Sequence, residues 1–283
     1  MSRQKAWTPE RALQFMIIPP ALLLVPTFVL PLAVVLSRSV SGTSFDFTQF
    51  QEILGNAVYL KVLYITFKTA LISTVVALLI GFPIAQVIST SPPVVANLLF
   101  ACVMVPLWTS VVTRTYAWLA ILGRGGVLNS ALQSLGWIDQ PLTLIHNQLS
   151  VQIGMVQVMM PMMILPLSST MRQIDRTKLM AAAILGANPI RAFVHIYIPM
   201  CLPGIVSGSV LVFITALGFY VTPALLGGDQ NTMIAVLIEQ QVTKTLNWPL
   251  ASALATVLLL VVITTLWVIS LVAKWRGIKI GVS

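Results

Sequence analysis

Long apolar stretches alternate along this chain with short segments rich in Pro, Gly, Asn and basic residues. Six stretches stand out, at 15–36, 62–88, 94–122, 150–167, 200–226 and 249–273. A helix needs roughly 20 apolar residues to cross the hydrocarbon of a bilayer, and each stretch is close to or beyond that length. The pattern predicts an all-α integral membrane protein with six transmembrane helices. Pro19, Pro20, Pro26 and Pro31 crowd the first stretch and predict kinks or an irregular start. Its apolar run exceeds the ~7–15 residues of a signal-peptide core, and no small-x-small site follows at 37–42, so it is expected to be a retained span. The segments between spans are too short for a separate soluble domain. The expected organisation is one membrane domain over 15–273, between tails at 1–14 and 274–283.

Composition agrees with a bilayer setting. The chain is 58% hydrophobic and only 8% charged, too little polar surface to cover a soluble globule of 283 residues. Charge placement adds a direction. With a cytoplasmic N-terminus, ten of the 16 basic residues fall inside: Arg3, Lys5, Arg11, Arg172, Arg176, Lys178, Arg191, Lys274, Arg276 and Lys279. Asp46, Glu52, Asp139, Asp229 and Glu239 then lie outside. Both termini are expected in the cytoplasm. Basic loops facing anionic lipid account for the net charge of +9, without a nucleic-acid partner.

The chemistry-bearing residues exclude several classes. The six stretches hold no Asp or Glu, whereas carriers driven by protons or sodium usually place acids in the membrane. There is no paired carboxylate and no H-E-x-x-H, and His146 and His195 fall on different sides, so neither catalysis nor a metal site is expected. Cys102 and Cys201 have no C-x-x-C partner and read as small apolar filler. No G-x-x-x-x-G-K-S/T phosphate loop occurs, so ATP and Mg, if used, belong to another polypeptide, and no cofactor is expected on this chain.

One segment is neither span nor plain loop: LMAAAILGANPIRAFVHIYIPMCLPG, from Leu179 to Gly204. Residues 175–185 read as a helix that Gly186 ends with a left-handed cap. Asn188 and Pro189 signal a second helix start, as N-cap and first helical residue. The second helix is expected to run to about Ile198 and stop at Pro199. Two roles fit. In one, Ile190, Phe193 and Ile196 insert into lipid and Arg191 faces outward, so the hairpin merely anchors a loop. In the other, Ala181, Ala182, Ala183 and Gly186 present a surface thin in side chains to a partner protein's groove.

The spacing Ala181-Ala182, Gly186, nine residues, then Ile196-x-Ile198-Pro199 resembles the E-A-A-x3-G-x9-I-x-L-P loop of membrane subunits of bacterial binding-protein-dependent ABC importers. The segments PLWTSVVTRTYAWLAILGRGGVLNSAL, MMPMMILPLSSTMRQID and NWPLASALATVLLL are similar to the first permease type of spermidine/putrescine importers, a subfamily that resembles importers of opines and γ-aminobutyrate. The resemblance implies the type I ABC importer permease fold. It further implies a coupling loop at 175–199 docking on a cytoplasmic ABC ATPase dimer, a second homologous permease, and a periplasmic or lipid-tethered solute-binding protein. The coupling residues it implies are Ala181, Ala182, Gly186, Ala187, Asn188, Pro189, Ile196 and Pro199. Met180 stands where the motif has Glu, so that residue's role does not carry over. The alternative is an ion- or proton-coupled carrier working without an ATPase.

The fifth stretch offers a candidate pathway lining. Gly208, Val212, Thr215, Phe219 and Thr222 share one face of a continuous helix, with Tyr220 beside them, although the Gly204-x-x-x-Gly208 pair equally suits close helix packing. Trp108 suits packing or an aromatic wall. Arg114, about 30 Å along a straight third helix, falls near the outer interface, where with Tyr116 and Trp118 it reads as a snorkelling belt residue. A gate or a contact to a solute carboxylate is the alternative. In the outer loop at 230–247, Ile234, Leu237, Ile238 and Val242 have helical spacing and suggest a surface helix beneath a docked binding protein, with Asp229 and Glu239 available to basic partners.

Overall fold

The computed structural model describes residues 9–40, 47–175 and 177–275. The expectations for Arg3, Lys5, Asp46, Arg176, Arg276 and Lys279 lie outside the described residues. So does the Asp229 side chain. Among the described residues every regular element is helical. The order is α1 (Pro9–Ser39), α2 (Thr48–Gly55), α3 (Ala57–Thr90), α4 (Pro93–Trp108), α5 (Val111–Leu122), α6 (Val127–Ser134), α7 (Gln148–Arg172), α8 (Thr177–Ile184), α9 (Pro189–Ala192), α10 (Ile198–Leu217), α11 (Val221–Leu226), α12 (Ile234–Thr243) and α13 (Trp248–Trp275). A π turn at Phe193–Tyr197 links α9 to α10. Five helical stretches are long and apolar enough to cross a membrane, or six if the bent pair at Pro93–Trp108 and Val111–Ser134 forms one span.

The core is α3, α7 and α10 packed together. In lipid, helices gain little from apolar burial, so close approach and interhelical hydrogen bonds hold them together. The buried face of α3 is built for this: Thr66, Thr69, Ala70, Ser73, Thr74, Ala77, Gly81 and Ala85 carry small side chains. Polar bonds cross from it to α7. Ser73 Oγ donates to Gln152 Oε1 (2.7 Å), and Gln148 Nε2 donates to Thr69 Oγ1 (2.7 Å). Met155, Met159 and Met163 of α7 are fully buried, unbranched side chains that fill the irregular gaps left by small neighbours. Along α7, Gly204 and Gly208 let α10 approach, so their spacing serves helix packing. A Cβ on Gly204 would stand 2.7 Å from Thr170 Oγ1.

Three departures from the sequence expectations concern helix continuity. The four prolines of the first span lie inside one 31-residue α-helix, which packs against α13, so the expected irregular start is absent. A membrane helix tolerates them because neighbouring structure satisfies the freed backbone groups. The third span is not straight, because α4 and the stretch Val111–Ser134, which holds α5 and α6, meet at a 95° bend at Thr109–Ser110. The fifth breaks after Leu217, so α10 and α11 are separate helices and no single face runs from Gly208 to Thr222.

The connections that follow α5 and α11 are firmly tied. Fully buried Asn129 donates through Nδ2 to Gly123 O and Leu142 O, both at 3.0 Å, and accepts from Leu142 N–H at 2.9 Å. Helix α12 occupies the expected segment, but Ile234 and Val236 are buried in the bundle rather than laid on a surface. Ile234 N–H donates to Thr66 Oγ1 at 2.8 Å.

Candidate functional site: the interhelical hairpin and the bend of the third span

The hairpin between α7 and α10 is shaped by its own short-range chemistry. Asp175 Oδ1 accepts from Thr177 N–H (2.9 Å) and Thr177 Oγ1 (2.7 Å) at the start of α8. Those two bonds hold the Asp175 carboxyl below its ordinary pKa. At the other end Gly186 has φ +82°, with Gly186 N–H bonded to Ala183 O and Ala187 N–H to Ala182 O, both at 3.0 Å. This paired 5→2 and 6→1 pattern is the Schellman cap. Two residues on, Asn188 Oδ1 accepts from Ile190 N–H at 3.1 Å, with Pro189 at the first turn of α9. The expected cap, turn and restart are all present.

Pro199 does not stop the second helix. Helical backbone continues from Pro189 to Leu217, 29 residues, because the π turn carries the chain past the proline. Ile198 N–H bonds Phe193 O, five residues back, so the carbonyl register has already shifted where Pro199 contributes no donor. The second helix of the hairpin is thus continuous with α10.

Its presented surface differs from a stripe of alanines. Ala182 is buried, Ala187 and Ile196 are half-buried, and Ala181, Gly186, Asn188, Pro189 and Pro199 are exposed. The tip is dominated by Ile184, 85% exposed, and Leu185, 87% exposed, with Met180 and Ile190 beside them. The motif did not flag these residues; their signal was two bulky apolar side chains immediately before the capping glycine. Behind the tip, Phe193 stacks on Tyr197 at 5.5 Å between ring centroids, and both meet Phe82 of α3 edge-on, at 6.2 and 6.4 Å. A pocket of about 290 Å³ opens there between the hairpin and the adjoining ends of α3 and α7.

The other candidates fall around the bend. Trp108, at the end of α4, is 90% exposed, so it packs little within this chain. Tyr116 on α5 and Tyr220 just before α11 are exposed, Thr215 and Phe219 are half-buried, and α5 packs on α11. Thr222 is fully buried and its hydroxyl pairs with that of Thr115 at 3.2 Å, so it faces the packed interior rather than an open path. Arg114 is half-buried, and its Nε and Nη1 are enclosed by protein without a hydrogen-bond partner.

Residues 79–277 match the family described as "Binding-protein-dependent transport system inner membrane component". The chain is 34% identical over 202 residues to the spermidine/putrescine transport system permease protein PotB of Haemophilus influenzae, covering 71% of each. It is 33% identical over 227 residues to PotB of Escherichia coli, covering 80% of this chain and 81% of that one. A putative 2-aminoethylphosphonate transport system permease protein, PhnU of Salmonella paratyphi A, is 27% identical over 197 residues, 68% of each. The fold is shared with a chain of a bacterial alginate ABC transporter solved in complex with alginate pentasaccharide-bound periplasmic protein: TM-score 0.72, 17% identity, 96% of both chains covered. The chain belongs to the inner membrane components of binding-protein-dependent transport systems. It is the permease subunit of an ABC importer, a transport component rather than an enzyme, and it works with an ATPase and a solute-binding protein. Neither the family match nor the curated relatives support an ion-coupled carrier.

Proposed function

We propose that this chain is the first-type permease of an importer for polyamines or other small amine-bearing solutes, and that the 175–199 hairpin is its contact with the ATPase. The exposed apolar tip at Ile184 and Leu185 carries the reading, because such side chains facing water imply a protein or membrane partner. The continuous helix behind the tip favours a protein lever. Force applied there passes through the π turn into α10 and through the Phe193–Tyr197–Phe82 cluster into α3. Ala181, Ala182, Gly186, Ala187, Asn188, Pro189, Ile196 and Pro199 are its framework. The hairpin end, and with it both termini, lies in the cytoplasm, where the basic residues concentrate.

A second, homologous permease completes the pathway, and ATP with Mg is held by the ATPase dimer. Trp108, Tyr116 and Tyr220, with Phe219 and Thr215, line this half of the path. Their aromatic faces attract ammonium groups by cation–π contact. The names of the relatives, which span polyamines and an aminophosphonate, support an amine as the common feature of the solute.

Mild-detergent purification of the tagged chain from its native membrane, followed by mass spectrometry, tests the assembly. A phosphate-loop ATPase and a second six-span permease are expected to co-purify. A chain that runs alone after crosslinking would overturn the proposal. Phe82→Ala tests the lever: the complex is expected to assemble and hydrolyse ATP while solute moved per ATP falls several-fold in proteoliposomes. Unchanged stoichiometry would remove α3 from the transmission route.

A further inference from the structure

A groove of about 960 Å³ runs between α7, α10 and α13. Leu165 and Pro166 of α7, Leu211 and Ile214 of α10, and Leu266 and Trp267 of α13 line it. Trp267 is 63% exposed, so this chain leaves the groove open. Its two hydroxyls are committed to their own helices: Ser207 Oγ donates to Pro203 O at 2.8 Å, and Ser270 Oγ to Trp267 O at 2.7 Å. With those protons engaged, and the rest of the lining apolar but for the Trp267 indole N–H, the groove suits hydrocarbon. It stops at Ile214, short of Thr215 and Phe219, which are proposed for the solute path.

One end of the groove is basic. Thr170, near the end of α7, lies against Gly204, near the start of α10. Helix α13 begins beside the start of α3, where Leu250 and Leu254 pack with Val62, and farther along Thr74 and Ile269 line a shared recess. Since α3 runs on to Phe82 and its contact with Phe193, α7 and α13 both finish at the hairpin end of the bundle. Arg172 stands seven residues past Leu165, and Lys274 seven past Trp267 and four past Ser270, so each extends a lining face toward that end. Both are exposed. Helices α7, α10 and α13 hold no Asp or Glu, and the Asp175 carboxylate, three residues after Arg172, is engaged by Thr177.

An apolar groove with two cations at one end matches a phospholipid in both shape and charge. Basic residues beside membrane helices attract anionic headgroups. A helix of another chain is the poorer occupant. Membrane helices pack through small residues, as α10 does on α7 at Gly204 and Gly208, whereas the groove presents Leu165, Leu211, Leu266 and Trp267. We infer that the groove is a phospholipid site, with an acyl chain between α10 and α13 and an anionic headgroup held by Arg172 and Lys274. The bound lipid lies along α10, the helix continuous with the hairpin. The inference rests on the chain's place in a membrane and not on the identity of its solute.

The test is native mass spectrometry of the full chain, purified in mild detergent with the subunits that accompany it and exposed to equal amounts of phosphatidylglycerol and phosphatidylethanolamine. Wild type is expected to retain phosphatidylglycerol about tenfold over phosphatidylethanolamine, the scale of two favourable charges at a membrane surface. The double variant Arg172→Gln with Lys274→Gln is expected to retain the two lipids equally. Leu211→Trp, at a residue 47% exposed and so clear of the core, is expected to expel the tightly held lipid with both cations in place. Ser207→Phe, which fills the groove one turn away, is expected to do the same. No preference in wild type, or an unchanged preference in the double variant, overturns the inference. Lipid retention unchanged by both groove-filling variants also overturns it, because the headgroup then adsorbs without a seat for its chain. Loss of a co-purifying permease from the groove-filling variants assigns the groove to that subunit and overturns it as well. These lipid ratios do not depend on ATP-driven uptake, so a failure of the importer reading is scored separately.

Discussion

Gly186→Glu is expected to abolish transport while leaving the protein inserted in the membrane. Two effects combine. Gly186 sits at φ +82°, where an L-residue with an ordinary side chain is strained by roughly 1–2 kcal/mol. The bonds that close the cap, from Gly186 and Ala187 back to Ala183 and Ala182, depend on that conformation. A carboxylate also lands beside Leu185, on the apolar tip proposed to enter the ATPase. A Cβ at this position meets nothing within 4 Å, so the defect is one of backbone conformation and surface charge, not of packing in the bundle. The measurement is pull-down of the ATPase together with uptake: both are expected to fall to a few per cent of wild type. Gly186→Asn, which tolerates the left-handed region, is expected to keep most of both. Wild-type transport by Gly186→Glu would remove the hairpin from the coupling route.

The hairpin was legible because its signals are local. A left-handed glycine, an Asn N-cap and a Pro at the first helical position each act within a few residues, and all three do what their chemistry dictates. The number and placement of apolar spans were legible for a similar reason: they follow from composition over about 20 residues. Helix continuity was not legible, because it depends on how the chain accommodates a proline or glycine. Pro199 suggests a stop, yet the preceding π turn lets the helix continue. Thr109 follows an apolar run that suggests no break, yet its N–H and hydroxyl both turn back to Pro106 O, at 3.3 and 2.9 Å, where the 95° bend begins. That bend means that the distance from the start of the third span to Arg114 is not the rise of one straight helix. Thr222 was misplaced by the same kind of error. A helix drawn through Gly218 put it on a lining face, whereas the break after Leu217 turns it inward to Thr115.

Gly204→Val is expected to cost the fold itself. A Cβ at Gly204 would lie 2.7 Å from Thr170 Oγ1, 2.8 Å from Thr170 Cβ and 3.0 Å from Pro166 O, and the last of these is backbone that cannot rotate away. Valine adds two further methyl groups, so α10 must move off α7. Overpacking of this kind costs roughly 1–3 kcal/mol, and in a bilayer few other forces draw these helices together. The apparent melting midpoint in detergent, followed by size exclusion after heating, is expected to drop by about 2–6 °C. Gly55→Ala, where an added Cβ meets nothing within 4 Å, is the matched control and is expected to melt with the wild type. The position also bears on function. Gly204 lies just past the hairpin on α10, so motion of the hairpin acts there against α7 as well as against α3 through Phe82. If Gly204→Val folds with unchanged stability, α7 and α10 do not form the rigid pair that the lever requires. Transmission would then have to run through the aromatic contacts between the π turn and Phe82 alone.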